Sequence, residues 1–526
     1  MEGECVGGWG RWQARLAALL ALPVLLTGLY GTNYVFLAAH TPHRCHIPEC
    51  EDNSTVLAAP GPDTWSPEWA SWALVPDSQC HRRGATTAGA GCQEASFDNS
   101  SRVQCEVFVY QHRSSIVAEF DLACQEWKRT LVGTVHNVGM LVSLPIMGYV
   151  SDRYGRRTAL VVSGVGAGVL GLGKSFATTY PAYLLAELLE TVLGASVYPA
   201  AFVLMIEWLG VEQRILASLL LGIPLSAGAA SLALLDYLTG YWRLWARLAY
   251  PPSLLLLLYP WLLPESVRWL LARGRLAEAV AVVRRAARCN RRAVPEETLD
   301  KMLIKDPVMD KVEVVVEESL FTAFIKYPTL RRRLCVCFAW WASAVFVFYG
   351  LAVRAHALAG SAHGNYALLA AAELPALLAN TLLLDRAGRR PLLTAAFLAT
   401  AAALIGMACL PDSPAAVAWG TALFLLGKVG ATMALNALYV YTAELFPTRA
   451  RQRLLAACST CGRLGAILAP QTPLLAAYGA WVPATLLGAL PLASAALTRL
   501  VPDTLGRRLP DSFADLDAAS QDSSVV

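Results

Sequence analysis

The main ionisable side chains inside apolar runs of this sequence are Glu187, Glu190, Asp236, Glu373, Lys428 and Arg463. A charge in hydrocarbon is expensive, so such a residue is expected to face a partner, a water-filled cavity or a ligand. Arg463 stands in Cys458-Ser459-Thr460-Cys461-Gly462-Arg463. Its planar guanidinium presents a fork of donors that fits a carboxylate. A fixed pair with Glu373 or Asp236 is the alternative. Glu373 either faces a cationic group or balances Lys428. Glu187 and Glu190, one turn apart, read as a polar contact between packed helices. Aromatic rings offer a second chemistry, since a ring face attracts an organic cation by about 0.5–2 kcal/mol. Trp341 and Phe348 are seven residues apart and share a helix face, with Tyr349 beside them. Tyr30, Tyr198 and Tyr439 are further ring positions, unless these aromatics only anchor helices at an interface.

Those residues need long apolar elements to hold them. Of 526 residues 56% are hydrophobic and 16% charged, and mean hydropathy is +0.45. A soluble chain carries about 25% charge. The net charge of +4 gives no reason to expect nucleic acid. The charges are also clustered, with 25 of 82 in residues 264–334. What remains reads as an all-α membrane protein. Twelve transmembrane helices are expected, near 16–39, 130–150, 158–177, 181–206, 215–239, 244–263, 335–355, 365–384, 391–410, 415–441, 454–477 and 481–501. The first run is too long for the apolar core of a cleaved signal peptide.

Arginines set the orientation, because Lys and Arg gather on the cytoplasmic side. Arg153, Arg156 and Arg157 follow the second run, Arg386, Arg389 and Arg390 the eighth, and Arg449, Arg451 and Arg453 the tenth. Both termini are then inside, and residues 40–129 form a large extracellular loop. Cys45, Cys50, Cys80, Cys92, Cys105 and Cys124 all fall in that loop. An even set in an oxidising compartment predicts three disulfides, of unspecified connectivity. The two glycosylation sequons, at Asn53 and Asn99, lie in the same loop. His40, His43, His46 and Cys45 cluster there too, but without a structural-zinc spacing, so no metal is expected.

Three signals recur in the second half. Asp152-Arg153-x-Gly155-Arg156-Arg157 returns 233 residues later as Asp385-Arg386-x-Gly388-Arg389-Arg390. Glu207 with Arg214 returns after 237 as Glu444 with Arg451, and Pro264-Glu265-Ser266 after 238 as Pro502-Asp503-Thr504. Two parallel six-helix halves related along the membrane normal are the major facilitator pattern. The acids and arginines at helix ends are expected to pair and gate the cytoplasmic side. The alternative is that they only satisfy the charge rule. Gly166-x-Gly168-x-x-Gly171 matches a dinucleotide fingerprint, but inside an apolar run it reads as close helix packing.

The sequence resembles the organic cation, anion and zwitterion transporter family of the major facilitator superfamily, nearly end to end. The resemblance rests on His43-Arg44-Cys45, on Gly148 through Arg157, and on Glu207-Trp208-Leu209-Gly210 with Arg214. It extends through Pro264-Glu265-Ser266-Val267-Arg268-Trp269-Leu270-Leu271 and through Tyr439 to Thr448, YVYTAELFPT. It implies twelve helices, alternating access and no covalent chemistry, so no enzyme and no cofactor. It implies that Arg463 faces a substrate carboxylate, since the family's cation transporters carry aspartate there and its anion and carnitine-type members arginine. It places Trp341 and Phe348 in the pocket, and family members often carry a glutamate at the position of Glu373. Asp236 departs from the family's usual small or apolar residue.

The domains expected are an N-terminus of 1–15, a first half of 16–263, a cytoplasmic linker of 264–334, a second half of 335–501 and a tail of 502–526. A basic helix over 275–292, with Leu276, Ala279, Val280 and Val283 on one side, is expected against the membrane or the bundle ends. The tail ends Ser524-Val525-Val526, a form that PDZ domains take by strand addition. The whole reads as a plasma-membrane transporter of small organic ions, zwitterions or anions first. An organic cation transporter, or a receptor or scaffold with the same fold, is the alternative.

Overall fold

A computed structural model describes residues 9–52, 65–86, 91–209, 214–292, 320–358, 360–411, 413–447, 450–479, 481–506 and 513. Among these, nine helices are long and apolar enough to cross a membrane. They are α1 (Arg11–Leu37), α2 (Glu126–Tyr154), α4 (Tyr180–Trp208), α5 (Leu216–Thr239), α7 (Pro328–Arg354), α8 (Ala362–Ala387), α9 (Arg389–Ala408), α10 (Ala416–Leu445) and α12 (Val482–Leu500). The three other expected spans are helical but less regular. α3 (Arg156–Lys174) is rich in glycine. α6 (Trp242–Ala249) meets Pro251 and Pro252, which lack amide donors, and continues as a tighter helix over Pro251–Leu258. α11 (Arg451–Leu468) likewise tightens over Ala469–Tyr478, which carries Pro470 and Pro473.

The repeated motif has one backbone cause. Gly155 ends α2 and precedes α3 at φ 106°, ψ 158°, and Gly388 sits between α8 and α9 at φ 92°, ψ 157°. This region is open essentially to glycine alone. The turn exposes the first amides of α3, and Glu265 Oε1 accepts from Arg156 N at 2.9 Å and Arg157 N at 3.1 Å. In the second half Asp503 Oδ1 accepts from Arg389 N at 3.1 Å and Arg390 N at 3.2 Å. Each acid thus satisfies orphan donors and meets the positive end of a helix dipole. A Cβ on Gly155 would stand 2.2 Å from Glu265 Oε2, and one on Gly388 2.4 Å from Asp503 Oδ2. Gly155→Ala and Gly388→Ala should each cost about 1–3 kcal/mol, read as a lower melting temperature of the purified protein. Gly148→Ala, whose Cβ would meet nothing within 4 Å, should not lower it.

The loop between α1 and α2 is a small folded unit. β1 (His43–Cys45) pairs antiparallel with β4 (Phe108–Tyr110), and β2 (His81–Ala85) with β3 (Phe97–Gln104). The connectivity left open by sequence is Cys45–Cys105, Cys50–Cys92 and Cys80–Cys124. Cys45, Ile47, Phe97, Phe108 and Leu122 form its core. Arg44 holds Glu51 through two bonds of 2.7 and 2.8 Å, both side chains nearly buried. Glu119 fastens the loop to α6, accepting from Trp242 Nε1 at 2.5 Å and Arg243 Nε at 2.7 Å. Asn99 is exposed on β3, whereas Asn53 lies outside the described residues.

The linker helix Leu276–Cys289 packs on the ends of the first half. Ala279, Val280, Val283 and Ala286 are buried in one core with Trp12, Leu16, Trp208 and Trp269. Asn290 Oδ1 accepts from Trp12 N at 2.8 Å. Of the two placements expected for this helix, the structure shows the bundle ends. Val312–Val316 and the Ser524-Val525-Val526 tail lie outside the described residues.

Contacts between the halves run from mid-bundle toward the disulfide loop. Gln471 Nε2 donates to Thr134 Oγ1 at 2.6 Å, and Thr130 Oγ1 donates to Gln471 Oε1 at 2.9 Å. Thr32 bonds Tyr366 through their hydroxyls, and His363 Nε2 meets Asp236 Oδ2 at 2.9 Å. The Phe36 ring packs on His356, His363 and Tyr366. Burial, with His363 and Arg129 nearby, lowers the His356 imidazole to about 4, so it is neutral in this contact.

Candidate functional site

Arg463 lies on α11 where the halves meet. Its Nη1 is 3.5 Å from Tyr349 Oη on α7 and 3.6 Å from Met140 Sδ on α2. Both are weak contacts for a guanidinium. Among the described residues no carboxylate is within 4 Å of it. The fixed partners considered from sequence are used elsewhere. Asp236 meets His363, and Glu373 Oε1 meets Lys428 Nζ at 2.8 Å. Its fork of donors is therefore left without a carboxylate among the described residues.

Lys428 is buried on α10. Besides Glu373, its Nζ stands 3.2 Å from the centre of the Phe348 ring. That ring was expected to take a substrate cation, but this face is occupied by the protein's own ammonium. Glu373 also accepts from Ser226 Oγ on α5 at 3.1 Å, so the pair reaches the first half. A lysine held by one carboxylate, one ring and low dielectric reads as a structural ion pair.

Trp341 departs from its expected place in the pocket. It is 1% exposed, its Nε1 donates to Thr442 Oγ1 at 3.0 Å, and its ring lies edge-on to Tyr439, 4.6 Å between centroids. The indole N–H found its partner inside the second half, so Trp341 supports Tyr439 instead of facing the cavity. Tyr439 is 47% exposed and remains available, as does Tyr349. Tyr30 is committed as well, donating to Ala249 O at 2.9 Å and stacking on Tyr250. Tyr198 stacks on Phe202.

The acid–arginine clusters join helices of the same half. Arg156 is 3.0 Å from Asp152 and 3.7 Å from Glu207. Arg389 is 3.0 Å from both Asp385 and Glu444. Thr504 Oγ1 adds a bond of 2.5 Å to Glu444. Glu444 is thus engaged by Arg389 and Thr504, and among the described residues Arg451 Nε and Nη2 are buried without a hydrogen-bond partner. The Arg214 side chain lies outside the described residues. Arg157 Nη1 donates to Pro260 O at 2.9 Å, while Arg153 and Arg386 are exposed. Arg390 contributes its backbone amide to Asp503.

The chain is similar to known proteins. The family profile described as Major Facilitator Superfamily covers residues 126–470. Solute carrier family 22 member 7 of Bos taurus is 32% identical over 99% of this chain and 96% of its own length. The chain belongs to the solute carrier 22 family. Solute carrier family 22 member 6 of Rattus norvegicus is 29% identical, covering 98% of this chain and 94% of that one. Among solved structures, the inward open xylose transporter XylE from E. coli aligns with TM-score 0.59 at 15% identity, over 96% of this chain and 99% of that one. The fold is therefore that of a multi-pass major facilitator protein, a transporter and not an enzyme.

As a solute carrier 22 protein the chain holds a further cluster that sequence reasoning only half found. Glu187 and Glu190 on α4 are fully or almost fully buried, as expected of a packing contact. What they pack around is an ion. Lys174 Nζ, at the end of α3, lies 2.6 Å from Glu187 Oε2 and 2.5 Å from Glu190 Oε2. His136 on α2 lies 2.7 Å from Glu187 Oε1. Lys174 falls inside the expected third span, and an intramembrane cation opposite two acids was a usable signal. Nothing in the spacing marks His136.

Proposed function

We propose that this chain carries small organic ions bearing a carboxylate, anions or zwitterions, across the plasma membrane by alternating access. Twelve spans, both termini in the cytoplasm and the disulfide loop outside complete the reading. The observation that carries it is Arg463, a guanidinium at the meeting of the halves with no carboxylate within ion-pair distance among the described residues. A substrate carboxylate supplies the two oxygens its fork can engage. The rings of Tyr349 and Tyr439 line the same region and suit the apolar or cationic remainder of a zwitterion. A simple cation finds less, because Lys428 occupies the Phe348 face. The paired clusters around Glu265 and Asp503 brace each half, so that the halves rock as bodies and the substrate is exposed to one side at a time.

The test is uptake in cells displaying the protein, with labelled organic cations, anions and zwitterions such as carnitine. Saturable uptake restricted to carboxylate-bearing compounds supports the reading. Uptake of simple cations alone overturns the substrate class. Absence of uptake across the panel, with surface display confirmed, overturns transport and favours a receptor or scaffold.

A further inference from the structure

The cluster of Lys174, Glu187, Glu190 and His136 has a proton count that its geometry fixes. His136 Nδ1 lies 2.7 Å from Glu187 Oε1, and Nε2 lies 3.1 Å from the Gly31 carbonyl oxygen. A carbonyl only accepts, so Nε2 carries hydrogen. A neutral imidazole has one N–H, so Nδ1 is then bare. A bare Nδ1 against an ionised carboxylate is a contact of two acceptors. The 2.7 Å contact therefore contains one more proton, on Nδ1 or on Glu187. With ionised Lys174 and Glu190, that proton makes the whole cluster neutral. Without it, one negative charge is uncompensated among side chains that are almost wholly excluded from solvent, at a cost of several kcal/mol.

The surroundings give this proton a route and a lever. A small cavity of about 30 Å³ is lined by Tyr30, His136, Glu190, Thr191 and Ser253 among others. A single water entering beside His136 and Glu190 would accept the proton as it leaves and return it. Gly31 is the break in α1, where the helix Arg11–Tyr30 stops. Directly beyond it, Thr32 and Phe36 form the contact with Tyr366, His356 and His363 of the second half. The charged and titratable groups around His136 are Lys174 from α3, Glu187, Glu190 and Tyr183 from α4, Tyr30 and Tyr34 from α1, and Tyr250 from α6. Arg463 from α11 approaches Met140, one turn along α2.

We infer that His136 and Glu187 jointly bind one exchangeable proton, and that its release loosens the contact between the halves beside the disulfide loop. On release, Nδ1–H turns to the ionised Glu187 and the Nε2 lone pair faces the Gly31 carbonyl. The bond anchoring the end of α1 becomes a repulsion. One proton moves to cavity water, the cluster charge falls from zero to minus one, and no other bond changes. The step rests on the alternating-access reading only for its use in a transport cycle.

The test uses full-length protein in lipid nanodiscs, without substrate. Nitrogen-15 histidine spectra of wild type minus His136→Gln isolate one imidazole of the eight. At neutral pH the expected result is a doubly protonated ring, or else a protonated carboxyl infrared band that Glu187→Gln removes. A neutral ring beside an ionised Glu187 overturns the site. Amide exchange over residues 31–37, corrected for intrinsic rate, then reads the lever. As pH is raised until the proton leaves, protection should fall by about tenfold in wild type and stay flat in both variants. A flat wild-type profile overturns the coupling. Neither readout uses uptake, so failure here leaves carboxylate transport standing to be judged by its own assay.

Discussion

Arg463→Ala is expected to reduce uptake of a carboxylate-bearing substrate by at least about thirtyfold, with normal display at the cell surface. Truncating one partner of a desolvated charge pair costs about 2–5 kcal/mol, much of it from the anion left unpaired. At about 1.4 kcal/mol per factor of ten, the lower end of that range is about thirtyfold. Folding should be little affected, because the only hydrogen-bond contacts of Arg463 among the described residues are at 3.5 and 3.6 Å. Arg463→Lys should recover part of the loss, since it restores charge but not the two-pronged geometry. Unchanged uptake in the alanine variant would remove Arg463 from the substrate site. Lost surface display would show a structural residue instead.

Lys174→Met is expected to act on stability. The ammonium is fully buried between two carboxylates at 2.6 and 2.5 Å, with the Tyr250 ring 5.1 Å away. Removing one member of a buried ion cluster costs about 3–5 kcal/mol, because the remaining charges stay in low dielectric uncompensated. The variant should melt well below wild type in detergent and reach the surface poorly. Replacing all of Lys174, Glu187 and Glu190 by Met, Gln and Gln should recover much of the loss, since the uncompensated charge goes with the ammonium. A single variant as stable as wild type would mean that water reaches the cluster freely.

The parts of this molecule legible in its sequence were those written as runs and repeats. The second, fourth and tenth spans follow from apolar length alone, while the segments expected as third, sixth and eleventh spans are helical in the structure although glycine or proline spoils their regularity. The motif offsets carried the two halves, and the structure adds the reason they recur: Gly155 and Gly388 must adopt a conformation closed to other residues so that Glu265 and Asp503 can reach the next helix. Partners across helices were less legible. The acids and arginines were expected to pair, but not which with which: Arg156, brought in by the turn after α2, approaches Glu207 at 3.7 Å. Glu373 with Lys428 was foreseen as one of two options because both stood alone in apolar runs. His136 was not foreseen, because a lone histidine in a helix leaves no pattern until Glu187 and the Gly31 carbonyl are placed on either side of it.

The loop carries a last implication. The anchors described above for it belong to the first half: Glu119 on Trp242 and Arg243, with the amide of Trp242 donating to Ser114 O at 2.9 Å. Its three disulfides and two small sheets make it stiff, and these anchors make it a passenger of α6. A stiff passenger turns with its carrier. A fluorophore fixed on β3 and another at the far end of α9 would therefore register rocking of the halves as a change in distance, like a pointer fastened to one arm of a hinge.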